Sequence, residues 1–130
     1  MSRPTVAILG ASRDRRKFGN QSVRAHLQQG YEVFPVNPHA DEVEGLKAYP
    51  DLASVPVRRL DRISVYLPPD TGITLLDEIK SRGAREVWFN PGSDSDELVS
   101  RAEQIGLEII RACSIVDVET SDFRRSGFQA

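Results

Sequence analysis

Between Gly10 and Gly19 the chain places one hydroxyl and four cations: Ser12, then Arg13, Arg15, Arg16 and Lys17. Ala11, a small residue, separates the first glycine from the serine. These types suit an anionic oxygen. The amides of a tight glycine turn, a hydroxyl donor and positive side chains all favour phosphate, and a helix N-terminus behind them adds to the effect. The spacing is not that of a nicotinamide fingerprint, which needs a second glycine two residues after the first so that the pyrophosphate can approach the backbone. Ser12 stands in that place. A Walker loop is absent as well. A tight turn followed by a solvated run of cations explains the same residues, and spacing leaves both readings open.

Other chemistry-bearing residues are sparse. Cys113 is the one cysteine, and no histidine has a sequence-visible pairing with it, so it reads as a small apolar residue rather than a nucleophile. His26 falls mid-helix and reads as structural. His39 follows a strand and is the better ligand contact of the two, though a loop residue by default. His26, His39 and Cys113 lack zinc spacing, so no metal site is expected. The carboxylates are scattered over helices with no acid–base pair among them, and no catalytic residue is assigned.

The elements that must position these groups alternate. Val6–Leu9 is a short apolar run ending at Gly10 and reads as a buried strand. Asn20 is expected to cap a helix over Gln21–Gln29, stopped by Gly30. Glu32–Val36 is a second strand with an irregular Pro35, ended by Asn37-Pro38. Residues 39–60 read as turns with one helical turn. Ile63–Leu67 is a third strand, stopped by Pro68-Pro69. Asp70 is expected to cap a helix from Thr71 to Ser81. Glu86–Phe89 is a fourth strand, followed by the turn Asn90-Pro91-Gly92. Ser93 or Ser95 caps a helix carrying Leu98, Ala102 and Ile105, closed by Gly106. Leu107–Ile110 is the fifth strand, and S-I-V-D-V could extend it.

Strands and helices alternating over short connections imply an α/β fold. The expectation is a single Rossmann-like doubly wound domain with a mostly parallel five-stranded sheet. Its boundaries are placed at 1–118, with 119–130 a basic, aromatic tail. Ligands in such folds sit beyond the carboxyl ends of the strands, where strand order reverses. The nicotinamide reading fails there a second time: after strand two, where a ribose-binding acid belongs, the chain has Asn37-Pro38.

Composition bounds the rest. The chain has 130 residues, 39% hydrophobic and 28% charged, as expected of one globular domain. Its formal net charge of −2 gives no global case for nucleic acid. No apolar run approaches the ~18 residues of a membrane span. The first ten residues do not read as a signal peptide, and a single cysteine does not suggest an oxidising compartment. A cytoplasmic protein is expected.

Taken in order, V-A-I-L-G-A-S with Lys17 and Gly19, G-Y-E-V-F-P-V-N-P, E-V-E-G-L-K-A-Y-P-D-L, S-V-Y-L-P-P, W-F-N-P-G-S and G-L-E-I-I-R-A-C resemble the CoA-binding domain family, the Rossmann-like module also found at the N-terminus of the succinyl-CoA synthetase α subunit. The resemblance runs from about Val6 to Val118. It implies that Gly10, Ala11, Ser12, Arg13 and Lys17 contact the CoA phosphates, with Phe18 beside them. Val36, Asn37 and Pro38 would border the nucleotide. Leu67, Pro68 and Pro69 would line its adenine or pantetheine side, and Asn90, Pro91 and Gly92 would close the edge. Cys113 falls where the family usually has a cysteine. Departures lie around that cysteine, where this chain has Arg111-Ala112 and then I-V-D-V, and after strand three, where it has Y-L-P-P. The phosphorylated histidine of the second α-subunit domain has no counterpart here, so ligase chemistry by this segment by itself is not expected.

The resemblance therefore implies a small CoA- or acyl-CoA-binding protein, a carrier, sensor or regulatory module without catalysis of its own. The alternatives are an NAD(P)-binding oxidoreductase, a CoA-ligase-like subunit needing a partner chain, and an interaction module that has lost its ligand. The partner implied is a small nucleotide ligand rather than nucleic acid or membrane; a homodimer or another protein partner stays open.

Overall fold

Alternate residues of β1 (Thr5–Leu9) feed two different cores, although all five are buried. Val6 and Ile8 pack with Ala11, Val23, Val33 and Val43 on one face. Ala7 and Leu9 pack with Leu52, Ile63, Leu76, Ile79, Phe89 and Leu98 on the other. A strand buried on both faces is the mark of a parallel sheet covered twice. The computed structural model describes residues 3–120.

The sheet has five strands, all parallel, in the order Glu32–Val36, Thr5–Leu9, Arg62–Val65, Glu86–Phe89, Ile110–Arg111. After β1 come α1 (Phe18–Gln28) and β2 (Glu32–Val36). A short antiparallel hairpin follows, β3 (Glu42–Val43) with β4 (Leu46–Lys47). Its two-residue turn puts Glu44 at φ 51° and Gly45 at φ 77°, the pair of positive angles a tight hairpin demands. A 3₁₀ turn, Leu52–Ser54, leads to β5 (Arg62–Val65). Then come α2 (Pro69–Thr74), α3 (Leu76–Arg82), β6 (Glu86–Phe89), α4 (Asp96–Gln104) and β7 (Ile110–Arg111). Residues 114–120 are helical.

Helix α1 covers the Val6 face, and α3, α4 and the 3₁₀ turn cover the Leu9 face. Registers Val6↔Arg62 and Ile8↔Ser64 put Arg62 and Ser64 on the α1 face. Asp117 and Ser114 bond to those two residues, so residues 114–120 lie on the α1 face as well. The α/β class and doubly wound arrangement read from sequence hold.

Element boundaries moved where side-chain chemistry was misread. Helix α1 starts at Phe18 with Lys17 at its N-cap and no side-chain cap bond. Asn20 is inside the helix and buried, its amide donating to Ser12 O and Glu44 Oε2 and its oxygen accepting from Arg24. Pro68 and Pro69 begin α2 rather than merely stopping a strand, because a proline in the first turn lacks only an amide that would be unpaired anyway. Asp70 therefore sits in the first turn of α2. The expected single helix is broken at Leu75. Of the two serines offered, Ser95 caps α4, accepting from Leu98 N at 3.1 Å. The S-I-V-D-V segment is helix, not strand extension. The rest of the expected tail lies outside the described residues.

Candidate functional site

The chain runs from β1 outward to β2, then crosses back to β5 on the other side of β1. The reversal leaves a gap beyond the carboxyl ends of β1 and β5, where such folds place their ligands. A cleft of about 890 Å³ occupies it, a size suited to a cofactor or substrate of several hundred daltons.

Two glycines make the cleft's first loop. Gly10 has φ 85°, and a Cβ there would lie 2.8 Å from the carbonyl oxygen of Tyr66. The β1 loop can turn against the end of β5 only without a side chain. Gly19 is in the first turn of α1, where a Cβ would come within 2.2 Å of Gly10 O. It does the work of the last fingerprint glycine, close helix–strand packing, across a longer loop.

Within that loop most groups are already bonded to each other. Asp14 N donates to Ser12 Oγ at 3.0 Å, and Asn37 Nδ2 donates to Ala11 O at 2.8 Å. Asp14 takes Arg16 in a two-point ion pair, both contacts at 3.0 Å, and the Arg16 bonds hold the Asp14 carboxyl down at about 2. Arg15 faces Glu44 at 3.5 Å. Of the four loop cations only Lys17 lines the cleft, and it has no ion-pair partner among the described residues. The amides of Ala11, Ser12, Arg13, Phe18 and Gly19 likewise donate to no described backbone or side-chain group, whereas those of Gly10, Asp14, Arg16 and Lys17 do. The Ser12 oxygen accepts from Asp14, which leaves its O–H free to donate. Free amides, one hydroxyl and one unpaired ammonium converging at the start of an 11-residue helix form a donor set for phosphate.

The rest of the lining includes the apolar Val36, Pro38, Leu52, Leu67, Pro68 and Leu75 and the acidic Asp51 and Glu78. Asp51 already accepts from the amide and hydroxyl of Ser54. Phe18, at the mouth, is 67% exposed, a large apolar surface facing water at the edge of a ligand-sized cleft.

Most of the residues expected from sequence come together here: Gly10, Ala11, Ser12, Lys17, Phe18, Val36, Asn37, Pro38, Leu67, Pro68, Pro69, Pro91 and Gly92 line the cleft. Arg13, Asn90 and Cys113 do not. Arg13 is exposed. Asn90 is 1% exposed and bonds to Ser64, Val65 and Ser114 beneath the cleft. Cys113 is half-buried at the start of the last helical segment. His39 lines the cleft, while His26 is buried on the inner face of α1. Sequence reasoning missed Tyr66, Asp51, Leu52, Leu75 and Glu78. Tyr66 immediately precedes Leu67-Pro68, so its place at a strand end was the available signal. Asp51, Leu52 and Glu78 reach the cleft through folding of the irregular segment against α3, which no local pattern announces. No group of three or more His, Cys, Asp or Glu residues suited to a metal is present among the described residues. Nor is any described helix long and apolar enough to cross a membrane.

Comparisons with known proteins agree with this geometry. A model of the CoA binding domain family matches residues 4–119. The α subunit of an ADP-forming acetate–CoA ligase II from Pyrococcus furiosus is 28% identical over 116 residues; the match covers 81% of this chain and 25% of the subunit, so the chain spans about a quarter of that relative's length. A conserved hypothetical protein of known structure, also from Pyrococcus furiosus, is 33% identical with a TM-score of 0.76, covering 89% of this chain and 99% of that one. A dinucleotide-forming acetyl-coenzyme A synthetase 1 from Ca. Korarchaeum cryptofilum, solved with phosphate and ADP, is 31% identical with a TM-score of 0.69, covering 83% of this chain and 25% of that one.

Proposed function

Because the chain belongs to the CoA-binding domain family, we propose that it is a small cytoplasmic module that binds CoA or an acyl-CoA and has no chemistry of its own. The observation that carries this reading is the donor set at the α1 end of the cleft. Lys17, the Ser12 hydroxyl and the unpaired amides of Ala11, Ser12 and Phe18 would hold phosphate oxygens. The apolar lining residues, Val36 to Leu75, would take the less polar remainder of the ligand. Nothing in the cleft supplies the nicotinamide pattern. Ser12 stands where the middle glycine belongs, and Asn37 is committed to Ala11 O and His39 N rather than offering a carboxylate to a ribose.

A second reading is favoured by the ligase relative. There a segment similar to this chain makes up a quarter of a subunit, so this chain could serve as the CoA-holding part of an assembly whose chemistry lies elsewhere. Calorimetric titration with CoA, acetyl-CoA and NAD tests the first reading. CoA or acetyl-CoA should bind more tightly than NAD, and tighter NAD binding overturns it. Incubation with acetyl-CoA, ADP and phosphate tests what the two readings share: the isolated chain should form no ATP, and turnover by it would show that the module is itself an enzyme.

A further inference from the structure

A buried polar network lies directly beneath the cleft. Ser64, Asn90 and Ser114 are each at most 1% exposed. Asn90 Nδ2 donates to Ser64 Oγ at 2.9 Å and to Val65 O at 2.9 Å, while Asn90 Oδ1 accepts from Ser114 N at 2.8 Å. The Ser114 hydroxyl bonds Ser64 Oγ at 2.7 Å and the phenolic oxygen of Tyr66 at 2.9 Å. Tyr66 lines the cleft, and its backbone closes on Gly10. Its hydroxyl is thus tied to the buried network while its backbone borders the cleft.

Ser114 opens the helical segment 114–120. One turn further on, Asp117 Oδ2 takes Arg62 Nη2 at 2.7 Å. Arg62 is a buried cation; its other bonds go to Glu86 and His26, and it stacks over Trp88. The segment is therefore held at two points, one at each end of β5. The point nearer the cleft is shared with Tyr66. Two polar networks with every buried side-chain atom partnered do not tolerate small displacements.

We infer that Asn90 and Ser114 are positioning residues for the cleft, holding Tyr66, and with it the strand end that backs Gly10, in place and thereby coupling ligand binding to the docking of residues 114–120. The inference rests on the CoA-site reading above. Coupling of this kind is reciprocal: a ligand that needs Tyr66 in place must stabilise the segment that holds it, and loosening the segment must weaken the ligand. Neither Asn90 nor Ser114 need touch the ligand for this to hold.

The test combines CoA calorimetry with amide hydrogen exchange on the full chain. Ser114→Ala and Tyr66→Phe, which keeps the ring, should each weaken CoA threefold or more. The double variant should be no weaker than the worse single one, because both remove the same bond. Saturating CoA should slow exchange in residues 114–120 of the parent, and much less so in Tyr66→Phe. Asp117→Ala, remote from the cleft, should weaken CoA as well. If that variant does not fold, the Tyr66→Phe exchange result decides. Variants that melt earlier yet bind CoA like the parent overturn the coupling, as does exchange in 114–120 that CoA leaves unchanged. A parent that binds no CoA overturns the site reading instead, and is recognised by the absence of heat in every titration.

Discussion

Gly19 packs against the carbonyl of Gly10 so closely that a methyl group on Gly19 would stand 2.2 Å from that oxygen. The neighbour is backbone and cannot swing aside. The N-terminus of α1 and the end of β1 are thereby held together around the loop that carries Ser12 and Lys17. Gly19→Ala must push them apart. It should destabilise the fold by ~1–3 kcal/mol, as overpacking does, and weaken CoA at least fivefold by displacing the free amides. Gly30→Ala is the control. Gly30 has φ 86° and nothing within 4 Å of a new Cβ, so it should cost stability through backbone strain and leave binding alone. Thermal melts and CoA titrations of both variants check this.

The four cations of the loop should not contribute equally. Asp14 and Glu44 engage Arg16 and Arg15, and Arg13 lies off the cleft. Lys17→Ala should weaken CoA by ~1–3 kcal/mol at low salt, with the gap shrinking as salt is added. Arg13→Ala should change the dissociation constant less than twofold. Equal losses from the two variants would show that the loop acts as a diffuse cationic patch.

The split between legible and illegible features has a physical basis. Strands such as Glu32–Val36 and Glu86–Phe89 were legible because burial on both faces leaves unbroken apolar runs between turn residues. The loop at Gly10 was legible because only glycine tolerates its backbone. Asn20 misled because the same side chain that caps helices also bridges loops, and here it joins Ser12, Arg24 and Glu44 across three separate segments. Arg62 and Asn90 were invisible as network centres for a similar reason. Their partners, Asp117 and Ser114, lie 55 and 24 residues away, beyond the reach of any local pattern.

Ser12 has two roles that substitution can separate. Its oxygen accepts from Asp14 N, which shapes the loop, and its O–H remains for a ligand oxygen. Ser12→Ala and Ser12→Gly remove both. Each should weaken CoA, the direct bond accounting for ~1.5–3 kcal/mol less whatever a replacing water recovers. Ser12→Thr keeps both polar functions and should retain most of the affinity. If Ser12→Gly binds CoA no worse, or gains affinity for NAD, the turn is a degenerate dinucleotide loop.

His26 should make stability depend on pH in a defined window. Its Nδ1 lies 2.8 Å from Ser22 O, which can only accept, so that nitrogen carries the proton. Its Nε2 faces Arg62 Nη1 at 3.3 Å, which can only donate, so that nitrogen is bare. The ring is therefore neutral. Burial first, and the Arg62 charge after it, hold it at about 4 against an ordinary 6.5, opposed by the Ser22 carbonyl and the Asp117 carboxylate. A histidine depressed in the folded state takes up its proton more readily when unfolded. Between those two values the unfolded chain holds the extra proton, so stability rises with pH across the window and is fully present above it. The whole effect is of order 3 kcal/mol. Urea midpoints of the parent should therefore fall steadily from pH 7 to pH 4.5. His26→Gln should be less stable than the parent at pH 7, through lost packing against Tyr31 and the altered Arg62 contact, yet its midpoint should change far less over the same range. A parent midpoint that stays level from pH 7 to pH 4.5 would mean that His26 is not held neutral by its surroundings.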